Sequence, residues 1–324
     1  MIMETSDLES NQVNDRQLQV YEAPKLLAFP VPTAISLFAI VLIIVGMLWH
    51  PSDFSSPITK KSVAQTASVS VSISNTSILA HAAIVYDART GELLFSKNPN
   101  AQLPLASVTK LMLVLTAMKT LAPHTVITIT PDMLKAEGDS GFKVGEQWSL
   151  TKLVDATLVS SSNDAATALA LTVGHGSLME AVALMNKNAR VLGLLQTYFL
   201  NPTGLDESAT LSGAYGSAQD IARLLSYLIM NYPDAISGTT RDDMRITSDK
   251  GASVHVQNTN EALSQIPGLI AGKTGYTDLA GGNLAVAFDV EVAHPIVIVV
   301  LNSTQEGRFK DVETLVHSVR SAFQ

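Results

Sequence analysis

Cysteine is absent from all 324 residues. That removes disulfides, thiolate nucleophiles, iron–sulfur clusters and cysteine-ligated zinc together. It does not fix a compartment, because an exported protein can do without disulfides. Charge is also scarce: charged residues are 15% of the chain, against roughly 25% in an average soluble domain. The balance of 21 basic and 29 acidic side chains gives a net charge of −8, so there is no basic footprint for nucleic acid. Several catalytic signatures are missing too. There is no G-x-S-x-G elbow, no H-E-x-x-H and no Walker A sequence. The seven histidines are scattered, with no pair at i, i+4. A serine activated in this chain would therefore take a lysine as its base.

The low charge has a local source. Residues 26–49 carry no charge and lie between Lys25 and Asp53. Pro30 and Pro32 disfavour helix at the start, which leaves 33–49, 17 residues. At roughly 1.5 Å per residue these reach about 26 Å, the short end for a membrane span. Trp49 would sit at the interface. The sequence before this segment is acidic overall and no A-x-A site follows it. The segment thus reads as an uncleaved anchor and not as a signal peptide. Arg16 and Lys25 on one side and Lys60 and Lys61 on the other leave the positive-inside rule silent on orientation. Residues 50–77 hold 12 Ser or Thr and read as a flexible spacer. Within them, Val69-Ser70-Val71-Ser72-Ile73-Ser74 also has strand alternation. The expected organisation is a tail over 1–25, a transmembrane helix over 26–49, a linker over 50–77 and a catalytic domain over 78–324.

In the globular part, 82–86 and 92–96 flank the turn Asp87-Ala88-Arg89-Thr90-Gly91, a hairpin signal. Residues 111–121 form an apolar, largely buried helix, and 149–173 and 177–193 also read as helical. Runs 284–288 and 296–301 are β-rich. Residues 308–323 place Phe309, Val312, Leu315, Val316 and Val319 on one helix face. Strands at both ends with helices between predict an α+β unit: an antiparallel sheet of the terminal strands, flanked by helices, with an inserted helical lobe.

S-x-x-K occurs at Ser107 and at Ser149, among other places. Ser149-Leu150-Thr151-Lys152 opens a helix, and an N-cap explains Ser149. Ser107-Val108-Thr109-Lys110 precedes the most apolar helix. Positions i and i+3 share a helix face, and burial of that face would lower the lysine pKa. A neutral amine can then take the serine proton. An S-x-N, Ser161-Ser162-Asn163, follows 54 residues after Ser107, at the mouth of a helix over 164–172. The only K-[ST]-G, Lys273-Thr274-Gly275, lies 112 residues after Ser161. Each pattern is weak alone. Their order is that of the penicillin-binding proteins and serine β-lactamases.

With the flanks AAIVYDARTGELLFSKNPNAQLPLASVTKLM, LVSSSNDAATALA, NPTGLDES and GLIAGKTGYTDLAGGNLAVAF, residues 78–324 resemble the D-alanyl-D-alanine carboxypeptidases. These are low-molecular-mass penicillin-binding proteins of the S11 serine peptidase family. The resemblance implies that Ser107 attacks the carbonyl of the penultimate D-Ala and Lys110 takes its proton. Ser161 relays a proton to the leaving amine, and Asn163 holds the substrate amide. Lys273 and Thr274 receive the terminal carboxylate. Gly275 and Tyr276 complete the substrate-binding set, with the N–H groups of Ser107 and Tyr276 as the oxyanion hole. A protonated Lys273 would also help to keep Lys110 neutral. Implied partners are peptidoglycan stem peptides, β-lactams as covalent inhibitors and the membrane through the N-terminal helix. No metal or cofactor is called for. The alternatives are a D,D-endopeptidase of the same family and a non-catalytic wall-binding homologue. A class A β-lactamase would need an E-x-x-L-N element, which does not occur between Ser161 and Lys273. Relatives often end in a C-terminal β domain with an amphipathic anchor; here the apolar segment comes first.

Overall fold

The computed structural model describes residue 73, residues 76–138 and residues 140–324. The expected tail, transmembrane helix and most of the spacer lie outside the described residues. The compact unit that carries the described residues spans Ser68–Gln324.

The chain opens with a hairpin, β1 (Ala82–Asp87) and β2 (Leu93–Lys97), followed by the short β3 (Leu103–Pro104). A 3-10 turn, Ala106–Thr109, leads directly into α1 (Lys110–Thr120). Next come β4 (Val126–Thr128), β5 (Gln147–Ser149), α2 (Leu150–Val159), α3 (Asn163–Val173) and α4 (Leu178–Val191). Then follow β6 (Tyr198–Phe199), β7 (Ala214–Gly216), α5 (Ala218–Asn231), the short α6 (Pro233–Ile236), β8 (Asp243–Thr247) and β9 (Ser253–Gln257). The chain closes with β10 (Leu269–Thr277), β11 (Gly281–Asp289), β12 (Pro295–Ser303) and α7 (Gly307–Ala322).

The main sheet has the order β10-β11-β12-β1-β2, and every neighbouring pair is antiparallel. The terminal strands do share one sheet, because β1 pairs with β12 from Ala82↔Leu301 to Asp87↔Ile296. Successive strand side chains point to opposite faces, and here both faces are covered. Ala82, Ile84, Ala285, Ala287, Val297 and Val299 join the core of the helical lobe. Ala83, Val85, Leu284, Val286, Ile298 and Val300 pack with Phe309, Val312, Leu315, Val316 and Val319 of α7. Burial on both sides is why these strands read as unbroken apolar runs and not as alternating ones.

Three features depart from the sequence reading. The helical stretch 149–173 is interrupted at 160–162, and its second helix starts at Asn163, one residue before the expected 164–172. Ser161 takes a left-handed φ of 60°, and the Ser162 hydroxyl accepts the N–H of Ala165 at 3.0 Å to start α3 afresh. Ser side chains compete with the helical ladder and favour caps. Helix α5 was not expected; Ser217 caps it by accepting from Asp220 N at 3.1 Å, and Ile221, Leu224, Leu225 and Leu228 are buried. Strand β10 was not expected either, since Gly272 and Gly275 weaken its β-propensity. Within the stretch assigned to the spacer, Ile73 is buried and donates its N–H to Leu94 O at 3.0 Å.

Candidate active site

Ser107 lies in the 3-10 turn and not on the α-helix itself. In that geometry i and i+3 still eclipse, so Ser107 and Lys110 face each other. The turn is entered through Ala106 at φ 47°, a conformation that costs a residue with a Cβ about 1–3 kcal/mol unless its surroundings hold it. Two glycines supply those surroundings. A Cβ on Gly204 would fall 1.9 Å from Ala106 O, and one on Gly275 would fall 2.9 Å from Leu105 O and 3.1 Å from Ser107 N. Backbone from loop 201–207 and from β10 therefore presses directly on the serine turn.

Lys110 is fully buried, and burial pulls its pKa down to about 7. Its Nζ lies 2.7 Å from Ser107 Oγ, 2.8 Å from Asn163 Oδ1 and 3.0 Å from Thr203 O. Two of these three partners can only accept. The Asn163 amide is held that way round because its Nδ2 donates to Glu137 O at 2.7 Å. The Thr203 carbonyl is held by Asn201, whose Oδ1 accepts from Thr203 N at 3.2 Å and Gly204 N at 2.7 Å. A neutral Lys110 spends both its N–H bonds on Asn163 and Thr203. Its lone pair then points at Ser107, whose hydroxyl must donate.

A second lysine completes the constellation. Lys273, on β10 and 1% exposed, donates to Ser161 Oγ at 2.9 Å and to Thr274 O at 2.9 Å. Burial lowers its pKa well below the usual lysine value, and the charges of Lys110 and Arg308 add to the effect. Burial lowers the Lys110 pKa, and two lysine charges in one buried site disfavour each other. Thr274 is buried, with its hydroxyl 2.5 Å from that of Thr259. Arg308, 7% exposed, donates Nη1 to Gly275 O at 3.0 Å, and its guanidinium lies 6.0 Å from the Tyr276 ring. The Tyr276 side chain is exposed. A cleft of about 580 Å³ is walled in part by Thr167, Leu171, Pro202, Thr203 and Leu205; of the groups that bond Lys110, Thr203 lines it.

All eight residues singled out from sequence thus meet around one turn and one strand. Ser149 does not: it caps α2, accepting from Lys152 N at 3.4 Å. Thr203, Thr259 and Arg308 also belong to the arrangement and were missed, because no local motif marks them.

A Ser-x-x-Lys turn facing a Ser-x-Asn turn and a Lys-Thr-Gly edge strand is the arrangement of the penicillin-binding proteins and serine β-lactamases. Within that class, the family profile described as D-alanyl-D-alanine carboxypeptidase, peptidase family S11, matches residues 67–305. The chain belongs to that family. It is 32% identical over 258 residues to the D-alanyl-D-alanine carboxypeptidase DacF of Bacillus subtilis (strain 168), covering 77% of this chain and 65% of that protein. The chain therefore spans just under two thirds of the length of this relative. Among solved structures, a D-alanyl-D-alanine carboxypeptidase from Mycobacterium tuberculosis H37Rv superposes with a TM-score of 0.70 at 28% identity, over 77% of this chain and 94% of that one. Penicillin-binding protein D2 from Listeria monocytogenes, in its ampicillin-bound form, gives 0.66 at 29% identity, over 77% and 99%.

Proposed function

We propose that this protein is a serine D,D-carboxypeptidase that removes the terminal D-Ala from peptidoglycan stem peptides through an acyl-enzyme on Ser107. The observation that carries this reading is the 2.7 Å contact between Ser107 Oγ and the Nζ of a fully buried Lys110. Lys110 takes the Ser107 proton as Oγ bonds to the carbonyl carbon of the penultimate D-Ala. The oxyanion is met by the N–H groups of Ser107 and Tyr276, and fixed donors of this kind are the largest single contribution in acyl transfer. Ser161, hydrogen-bonded to Lys273, passes a proton to the leaving nitrogen as the C–N bond breaks. Free D-Ala departs with its carboxylate on Lys273 and Thr274. An arriving carboxylate favours the charged form of Lys273, so binding restores the cation that burial disfavours. Asn163 holds the amide of the acyl part. Water then attacks the ester and returns Ser107 with its proton.

A β-lactam, which presents a carboxylate and a strained amide carbonyl, takes the same positions and acylates the same serine. The likeness to a penicillin-binding protein solved with ampicillin supports this. The apolar segment 26–49 anchors the chain in a membrane, with the catalytic domain outside the cytoplasm, where stem peptides are found. A D,D-endopeptidase would use the same groups on a cross-link. Mass analysis of products from a synthetic pentapeptide and from a cross-linked dimer separates the two. Loss of one D-Ala from the pentapeptide with the dimer intact is the expected result; an intact pentapeptide would overturn the carboxypeptidase reading.

A further inference from the structure

We propose that Thr259 is a positioning residue of the carboxylate pocket: its hydroxyl donates to Thr274 and so turns the Thr274 proton outward to the carboxylate that ends the substrate. This rests on the peptidase reading above. Thr259 belongs to none of the three motifs. It follows β9, and its N–H donates to Val159 O at 3.2 Å, at the end of α2 just before the Ser161 turn. The preceding Asn258 fixes this stretch, with Nδ2 donating to Thr239 O and to Arg241 O, each at 2.8 Å, and Oδ1 accepting from Asn260 N at 2.9 Å. The Thr259 side chain is therefore presented from a braced backbone.

The hydroxyl oxygens of Thr259 and Thr274 are 2.5 Å apart. Among the described residues, neither has another hydrogen-bond partner. Each hydroxyl has one proton and can accept as well as donate, so one proton lies between them and one is free. A carboxylate only accepts. When it meets the buried Thr274, the Thr274 proton must go outward, and the shared proton must then come from Thr259. The resulting chain, Thr259 to Thr274 to carboxylate, polarises in one direction, and each bond strengthens the next. Lys273 cannot fill this role alone, since two of its Nζ protons already serve Ser161 Oγ and Thr274 O. A hydroxyl at position 259 is thus what the carboxylate pocket requires; an isosteric apolar side chain would leave Thr274 without the donor that orients it.

The test uses the full chain in detergent with Ser107→Ala, which holds peptide without turnover. Binding of a peptide ending in D-Ala-D-Ala is compared by NMR titration with binding of the same peptide as its C-terminal amide. Adding Thr259→Val is expected to weaken binding of the acid by about tenfold, the effect of one hydrogen bond to a charged group, and to leave the amide unchanged. Thr259→Ser is expected to bind the acid as Thr259 does. Equal weakening of acid and amide, or undiminished binding of the acid, would overturn the proposal. Turnover by the unmutated chain is measured separately. A chain that shows the acid–amide contrast but never cleaves the peptide loses the peptidase reading and keeps this one.

Discussion

Lys110 Nζ and Asn163 Oδ1 lie 2.8 Å apart, joining the start of α1 to the start of α3. The contact is neutral on the Asn163 side, and that neutrality matters. A carboxylate in the same place would favour the charged form of Lys110. Acylation by a β-lactam is expected to rise with pH through about 7 as Lys110 loses its proton, because only the neutral amine can act as base. Asn163→Asp is expected to move this rise to higher pH and to slow acylation at neutral pH. Stopped-flow acylation across about pH 5–11, the range that brackets the shifted and ordinary lysine values, checks both. An unmoved profile would show that the titrating group is not Lys110.

The same burial has a consequence for stability. Folded Lys110 titrates at about 7, while the unfolded chain titrates near 10.5. Between these values the unfolded state binds the extra proton, so stability contributed by this site rises with pH across that window. Below pH 7 the full cost of burying the charge is present. Lys110→Met removes the titrating group. The stability of the variant relative to wild type is expected to be greatest at or below pH 7 and to decline steadily towards pH 10.5. Urea unfolding at a series of pH values measures the difference; a difference independent of pH would sink the assignment of a depressed lysine.

The Ser-x-x-Lys sequences at Ser107 and Ser149 should separate cleanly. A β-lactam is expected to form one ester per chain, on the peptide containing Ser107, and Ser107→Ala should abolish it. Ser149→Ala removes only an N-cap and should cost about 0.5–2 kcal/mol of stability with labelling intact. Peptide mapping by mass spectrometry decides. An adduct on Ser149 would overturn the site.

What could be read from the chain and what could not divides along physical lines. The apolar face of α7 and the strand pair β1–β12 were legible, because burial imposes a period or an unbroken run over many consecutive residues. The three motifs were legible because each packs its functional groups within a few residues. Thr203 meets Lys110 across 93 residues, and Arg308 meets Gly275 across 33. Such contacts exist only after the sheet has closed and leave no local pattern. Strand β10 was hidden for the opposite reason. Gly275 lacks strand propensity because any Cβ there would strike the serine turn, so the site obscured its own scaffold.

That close approach gives a prediction of its own. Gly275→Ala would place a methyl group 2.9 Å from Leu105 O and 3.1 Å from Ser107 N, both backbone atoms that cannot swing away. The strand or the serine turn must shift, which would displace the proposed oxyanion donors, the Ser107 and Tyr276 N–H groups, from each other. Removing an oxyanion donor typically costs about 10²–10³ in rate, and a loss of that order in acylation is expected. Since β10 stays paired with β11 on its other side, a cooperative unfolding transition should persist. Acylation within about tenfold of wild type, roughly 1.4 kcal/mol of barrier, would show that Gly275 does not set the oxyanion geometry.

The anchor is tested by separating the two parts of the chain. Residues Ser68–Gln324 form one compact unit and hold every group of the proposed mechanism. The chain from residue 68 onwards is expected to be soluble, to be labelled by a β-lactam at Ser107, and to trim a pentapeptide at the rate of the full chain. The full chain is expected to pellet with membranes, because 26–49 carries no charge and its helical part, 33–49, reaches about 26 Å, the short end for a span of a hydrocarbon core of about 30 Å. A truncated chain that still sediments with membranes would point to a second contact on the catalytic unit, with α7 the first element to mutate. N-terminal sequencing of the cellular protein addresses the remaining alternative. A mature chain beginning after residue 50 would mean that 26–49 is a removed signal and that the wall-facing enzyme is released, not tethered.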